Sequence, residues 1–147
     1  MRAPVTRAVE TFEVSLKAFI LKEGRALFVR EADTGFWELP GGRIDQGEAW
    51  QLLDAILQRE LDEELGPDFK VDMTKALGTL MRQRPHDQQH ILQLVRLCHY
   101  RSGELRLSGE HQAFQWLSPT EAQALAFPER STYATGLQAL WQLADGA

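Results

Sequence analysis

The sequence predicts an α+β fold, a mixed β-sheet with helices packed on it. Three observations carry the prediction. Apolar–polar alternation gathers in two groups, near 12–31 and 70–101, on either side of one strongly amphipathic helical stretch. Further helical patterns close the chain after residue 118. At 147 residues, the chain has the length of one domain with a sizeable core. Residues 1–147 are therefore read as a single domain, with no repeat, linker or low-complexity tract.

The elements follow in order. FEVSLKAFIL (12–21) reads as a strand, KEG (22–24) as a turn, and ALFVRE (26–31) as a second strand that completes a hairpin. GFWELPGG (35–42) reads as a short extended segment that breaks at Pro40-Gly41-Gly42. A helix follows from about Gln51 to Leu65, ended by Gly66 and Pro67. Alternation returns at 70–83 and 91–101, with a turn at SGE (102–104). ELRLS and AFQWLS read as short strands. SPTEAQAL (118–125) opens with a helix start signal in Ser118-Pro119 and Glu121, and a last helix spans roughly 131–143.

The first helix carries the chemistry. In RELDEELG (59–66), four of the five positions from Glu60 to Glu64 are carboxylates. Glu60 and Glu64 are four apart, a like-charge pair that costs roughly 0.2–0.5 kcal/mol. Glu63 and Glu64 sit in the last turn, the negative end of the helix dipole. With that end included, the total penalty is on the order of 1–2 kcal/mol. At about 100° per residue, Leu52, Leu53, Ile56 and Leu57 share one side, and Glu60, Glu63 and Glu64 continue it. An apolar stripe faces a core, so the acids point toward the protein body or a cleft. Half-buried carboxylates need cations. Arg59 pairs with Glu63 at i, i+4, and one arginine does not neutralise three acids. A divalent metal does, and oxygen donors select Mg²⁺, Mn²⁺ or Ca²⁺. A structural ion-pair network is the competing reading. Gly41, Gly42 and Gly47 precede the helix in a loop where backbone can approach a ligand closely.

Composition narrows the class. The net charge of −5 argues against duplex nucleic acid as the main partner, because phosphate binding wants a basic surface. No 18-residue apolar run is present, so no membrane span is expected. MRAPVTRAVETFEV has no apolar h-region, so no signal peptide is expected and a cytoplasmic protein is. The one cysteine, Cys98, forms no internal disulfide and reads as a small buried hydrophobe.

From Gly42 to Pro67 the chain resembles the signature of the Nudix hydrolases, MutT-like members included. That signature is a glycine, five residues, a glutamate, a spacer, then Arg-Glu, an aliphatic residue, any residue, Glu-Glu, any residue and glycine. Here it reads Gly42, five residues, Glu48, a spacer, then Arg59-Glu60-Leu61-Asp62-Glu63-Glu64-Leu65-Gly66. WELPG and WLSPTEA are also in the family style. The family spacer is seven residues; here it is ten, Ala49 to Gln58. Unbroken apolar periodicity from Leu52 places the extra residues in the loop before the helix.

The resemblance implies a Nudix-type α/β/α sandwich and a set of roles. Glu60, Glu63 and Glu64 would hold Mg²⁺ or Mn²⁺, and one of them, taken as Glu63, would act on water. Arg59 would orient a carboxylate of the helix, and Gly41 would offer its carbonyl to metal. Glu110, six residues before Trp116, matches a downstream metal ligand of MutT-like members. The implied reaction is hydrolysis of a nucleoside diphosphate linked to another group. The rival is a nucleotide-binding domain that senses without cleaving, although such domains typically lose the helix carboxylates. Arg30, Arg82 and Arg84 are candidate phosphate contacts. Trp37, Phe36, Phe127 and Tyr133 are candidates for stacking on a base, each with core packing as the alternative. The base-reading asparagine of MutT-type members is absent near FPERS, where Arg130 and Ser131 stand. His86 and His90 read as a loop near the sheet edge. A small phosphorylated nucleotide is the expected partner, and a homodimer is left open.

Overall fold

The structure is a computed structural model that describes residues 6–145. The MRAPV stretch of the N-terminal reading lies outside the described residues. Two hydrophobic layers sandwich a mixed sheet. The strands are β1 (Phe12–Lys22), β2 (Arg25–Glu31), β3 (Trp37–Glu38), β4 (Gly41–Arg43), β5 (Lys70–Gln83), β6 (His90–Ser102) and β7 (His111–Leu117). Three helices accompany them: α1 (Leu53–Leu65), α2 (Pro119–Ala122) and α3 (Tyr133–Asp145). The path β3-β2-β1-β6-β5 is extended by β4 on β1 and β7 on β2. β1 and β6 run parallel over Phe12–Leu21, and the other pairings are antiparallel.

Alternation along β1 explains the two layers. Leu16, Ala18 and Ile20 face α1 and pack with Leu27, Val29, Ile56, Leu57, Leu61 and Leu65. Phe19 points the other way, to Phe28, Leu80, Tyr133, Leu137 and Trp141 of the α3 layer. Side chains of a strand alternate between faces, so one strand serves both cores. Cys98 is fully buried among the α1-side residues, and burial pushes its thiol up to about 12. No helix of the described residues is long and apolar enough to cross a membrane.

The hairpin of β1 and β2 splays. Its strands pair only at Leu21↔Ala26 and Lys22↔Arg25. Residues 37–43 enter the gap, first pairing with β2 through Trp37 and Glu38, then with β1 through Gly41–Arg43. The break expected at Pro40-Gly41-Gly42 falls at Leu39-Pro40, and Gly41 and Gly42 are already strand residues. Gly41 has φ +139°, and a Cβ there would lie 2.0 Å from the Leu16 carbonyl oxygen. Only glycine lets this strand approach β1 so closely.

Three further expectations are corrected. ELRLS (104–108) is not a strand. Its backbone N–H groups are taken by α1: Arg106 donates to the Leu65 carbonyl at 2.8 Å and Ser108 to the Glu64 carbonyl at 3.1 Å. The second helix is a single turn, Pro119–Ala122, with the Ser118/Glu121 capping box intact. Leu52 and Leu53 are 80% and 43% exposed. They stand at the helix start, and the buried stripe is Ile56, Leu57, Leu61 and Leu65 instead.

Candidate active site

Helix α1 begins at Leu53, after Glu48, and residues 44–52 form turns and loop. Within the helix, Glu60 and Glu64 follow on from the buried stripe. Trp50, in that loop, is fully exposed and does not line the cleft. Ile56, Leu57, Leu61 and Leu65 lie against the sheet, so Glu60 and Glu64 are carried toward the β1–β4 edge.

Glu64 is buried at 4% exposure, and its Oε2 accepts from the Gly41 N–H at 2.8 Å. Glu60 lies over Gly42: a Cβ on that glycine would sit 2.2 Å from Glu60 Oε2. The glycine pair thus divides its work. Gly41 admits the strand and holds Glu64, while Gly42 leaves room for the Glu60 carboxylate. Glu63, expected to turn inward with the other two, is instead 59% exposed and stands at the rim, because its position lies off the buried side of the helix.

Arg59 ties the acids together. Its guanidinium reaches Glu48 Oε2 at 2.7 Å, Glu60 Oε1 at 3.2 Å and Glu63 Oε1 at 3.1 Å. The other Glu48 oxygen accepts from the Asp45 N–H at 2.8 Å, so Glu48 closes the loop onto the helix. That backbone bond, with Arg59, holds the Glu48 carboxyl below its ordinary value.

The C-terminus of α1 has no basic residue in its last turn. Its carbonyls are met by the 104–108 backbone, and that segment delivers Glu110 and His111 to the site. Glu64, Glu110 and His111 offer donor atoms within 4.8 Å of one another.

These residues line a cleft of about 950 Å³ that also includes Lys17, Glu31, Glu38, Arg43, Arg82, Arg84 and His86. Beneath it lies a network that sequence reasoning missed. Lys17 is 4% exposed, with Nζ 3.6 Å from Glu38 Oε2 and 3.5 Å from the Gly41 carbonyl oxygen. Arg82 bonds Glu38 and Glu31, each at 3.0 Å. The available signal was a lysine inside the otherwise apolar run LKAFIL, although its partners come from distant strands.

Electrostatics separate the carboxylates. Burial works against the Glu38 charge, but Lys17, His111 and Arg82 outweigh it and hold its carboxyl at about 2. For Glu64 burial prevails: its carboxyl is pushed up to about 7 despite Lys17 and the Gly41 N–H. Glu60 is also raised, by burial first and then by Glu63 and Asp45, against the pull of Arg59. Burial opposes the charging of His111, yet the carboxylates of Glu38 and Glu64 raise its pKa. An inner acid held near neutrality by burial is a proton acceptor or a ligand awaiting a cation.

Some residues singled out from sequence lie elsewhere or are already engaged. Arg30 and Trp37 pair across β2 and β3 and do not line the cleft. Arg30 donates to the Gly35 carbonyl, and Trp37 packs on the α3-side core. Alternation is the reason: their neighbours Glu31 and Glu38 take the cleft face. Arg82 does border the cleft, but it is 8% exposed and committed to two carboxylates. Arg84 is likewise bound to Glu13 and Asp87. Tyr133 is fully buried with Phe127 stacked on it, centroids 5.2 Å apart. They border a second cavity of about 320 Å³ between α2 and α3.

The donor set suits a hard or borderline divalent cation. Carboxylate oxygens predominate, Glu64 is buried, and the Gly42 cradle keeps Glu60 turned inward.

Comparison with known proteins gives a consistent picture. The family model for the NUDIX domain matches residues 12–138. A MutT-like protein of Streptomyces ambofaciens is 34% identical over 109 residues, covering 74% of this chain and 65% of that protein. The chain spans just under two thirds of the length of the curated relatives it matches. A MutT NUDIX hydrolase from Burkholderia pseudomallei superposes with a TM-score of 0.65 at 28% identity, over 90% of this chain and 98% of that one. An ADP-ribose pyrophosphatase from Streptococcus suis shares the fold, with a TM-score of 0.67 at 23% identity, over 91% of this chain and 92% of that one.

Proposed function

The chain belongs to the Nudix family, and from that premise we propose that it is a metal-dependent pyrophosphohydrolase. Its substrate is a nucleoside diphosphate linked to a second group, cut within the diphosphate. One observation carries the reading: Glu60 and Glu64 turn inward over the Gly41-Gly42 strand and meet Glu110 at the same cleft.

Glu60, Glu63, Glu64 and Glu110 are the proposed holders of Mg²⁺ or Mn²⁺, with the Gly41 carbonyl beside them. A divalent ion bound there supplies an activated water and neutralises phosphate oxygens. The chain's own residues do the rest. Arg59 keeps Glu48, Glu60 and Glu63 in one arrangement, so the carboxylates need no reorganisation on binding. Glu63, at the solvent rim, is the carboxylate placed to take a proton from attacking water and pass it to bulk. Arg43, at the cleft mouth, is paired with Glu13 at 2.9 Å but half exposed, which leaves it more accessible to a phosphate than Arg82 or Arg84. The retained carboxylates favour an enzyme over a sensor that binds without cleaving. Residues 1–147 are proposed to form one Nudix domain that works in the cytoplasm.

The test is release of phosphate or nucleoside monophosphate from a panel of nucleoside triphosphates, ADP-ribose, dinucleoside polyphosphates and nucleotide sugars. Turnover is expected with Mg²⁺ or Mn²⁺ and is abolished by excess EDTA. Turnover unchanged in EDTA overturns the reading, and binding without turnover of any member favours the sensor.

A further inference from the structure

Resting on the cation reading of this cleft, we propose that His111 binds the same ion as Glu64 and Glu110, through Nδ1. The site is then one of mixed oxygen and nitrogen donors. The sequence signature does not include this residue; the fold brings it there.

Three features point to it. First, a ring nitrogen of His111 lies within 4.8 Å of carboxylate oxygens of both Glu64 and Glu110. Second, the side chain is only 3% exposed and its Nδ1 has no hydrogen-bond partner among the described residues. Buried polar atoms are almost always satisfied, so an orphan nitrogen on a ring this close to two carboxylates is a donor short of its acceptor or a ligand short of its metal. Both carboxylates are themselves metal-ligand types, which favours the second. Third, Nε2 faces Glu38 Oε1 at 3.5 Å. Glu38 is itself immobilised, its other oxygen held by Arg82 at 3.0 Å and Lys17 at 3.6 Å. A proton on Nε2 directed at this fixed anion leaves the Nδ1 lone pair free. Carboxylate, imidazole and metal in that order is the usual way a ligating histidine is oriented. Glu38 is therefore a positioning residue for His111.

The chemical consequence is selectivity. Imidazole suits later first-row ions such as Zn²⁺, whereas all-oxygen sites suit Mg²⁺. The nitrogen donor tilts the site away from Mg²⁺.

Electron spin-echo envelope modulation on the Mn²⁺-loaded protein tests the assignment independently of turnover. The chain has four histidines: His86, His90, His99 and His111. Directly bound ¹⁴N modulation is expected in the wild type and in His86→Gln, which alters a histidine at the same cleft. It is expected to vanish in His111→Gln, with Mn²⁺ affinity about tenfold or more weaker and Mg²⁺ affinity less changed. A protein carrying His86→Gln, His90→Gln and His99→Gln keeps only His111 and is expected to retain the signal. That variant decides the matter even where His111→Gln does not fold. Mn²⁺ bound without nitrogen modulation, or modulation lost with His86, overturns the role of His111 and leaves the cation reading standing. No loss of the free-Mn²⁺ signal on titration overturns both.

Discussion

Replacing Glu64 by glutamine is expected to stabilise the metal-free protein at alkaline pH. The Glu64 carboxyl is pushed up to about 7 from 4.5 by burial. Its folded pKa therefore exceeds its unfolded one, and the folded state holds the proton more tightly. The contribution of the protonated acid is complete below about pH 4.5. It is lost as pH rises from there to 7, because the unfolded chain sheds the proton first. At about 1.4 kcal/mol per pH unit, the metal-free wild type forfeits about 3 kcal/mol by pH 8. Glutamine imitates the protonated acid: its carbonyl oxygen still accepts from the Gly41 N–H, and no charge is buried. Urea unfolding in EDTA at pH 8 is thus expected to show Glu64→Gln about 3 kcal/mol more stable than the wild type. By the usual scaling the melting temperature rises by about 6–12 °C. At pH 5 the gap shrinks to about 1 kcal/mol or less. Added Mn²⁺ narrows the pH 8 gap from the other side, because binding stabilises only the wild type appreciably. A variant less stable than the wild type at pH 8 in EDTA, or a gap that does not change with pH, refutes the reasoning. Activity moves oppositely to stability, with turnover falling by orders of magnitude in the same variant.

The glycine pair separates fold from site. Gly41→Ala places a Cβ against the Leu16 carbonyl oxygen at a φ of +139° and is expected to cost about 3 kcal/mol or more, measured by urea unfolding. Gly42→Ala meets first the movable Glu60 carboxylate. It is expected to unfold within about 1 kcal/mol of the wild type while kcat/KM falls on the order of 100-fold through the displaced ligand. Arg82→Met leaves Glu31 and Glu38 short of their shared cation and is expected to destabilise by about 3 kcal/mol; an unchanged unfolding midpoint would show that the network under the cleft contributes little.

The sequence by itself determined the parts that depend on local periodicity. The 3.6-residue repeat through Ile56, Leu57, Glu60, Leu61 and Glu64 sets which side of α1 is buried wherever the helix packs. That is why the inward course of Glu60 and Glu64 was legible, although the same reading also turned Glu63 inward and the structure leaves it exposed. The paired glycines marked a close approach for the same local reason, since φ and the absence of Cβ are properties of the residue. Tertiary structure alone decided what those elements meet. ELRLS alternates like a strand, but the carbonyls at the end of α1 claimed its N–H groups, and so Glu110 and His111 arrive beside Glu64. Lys17, Glu38 and Arg82 come from β1, β3 and β5 and balance charges that no short window contains. Arg30 and Trp37 bear chemistry suited to a nucleotide, yet strand parity turned them to the face away from the cleft. Charge pairing and strand facing are set by partners far along the chain, and only folding brings those partners together.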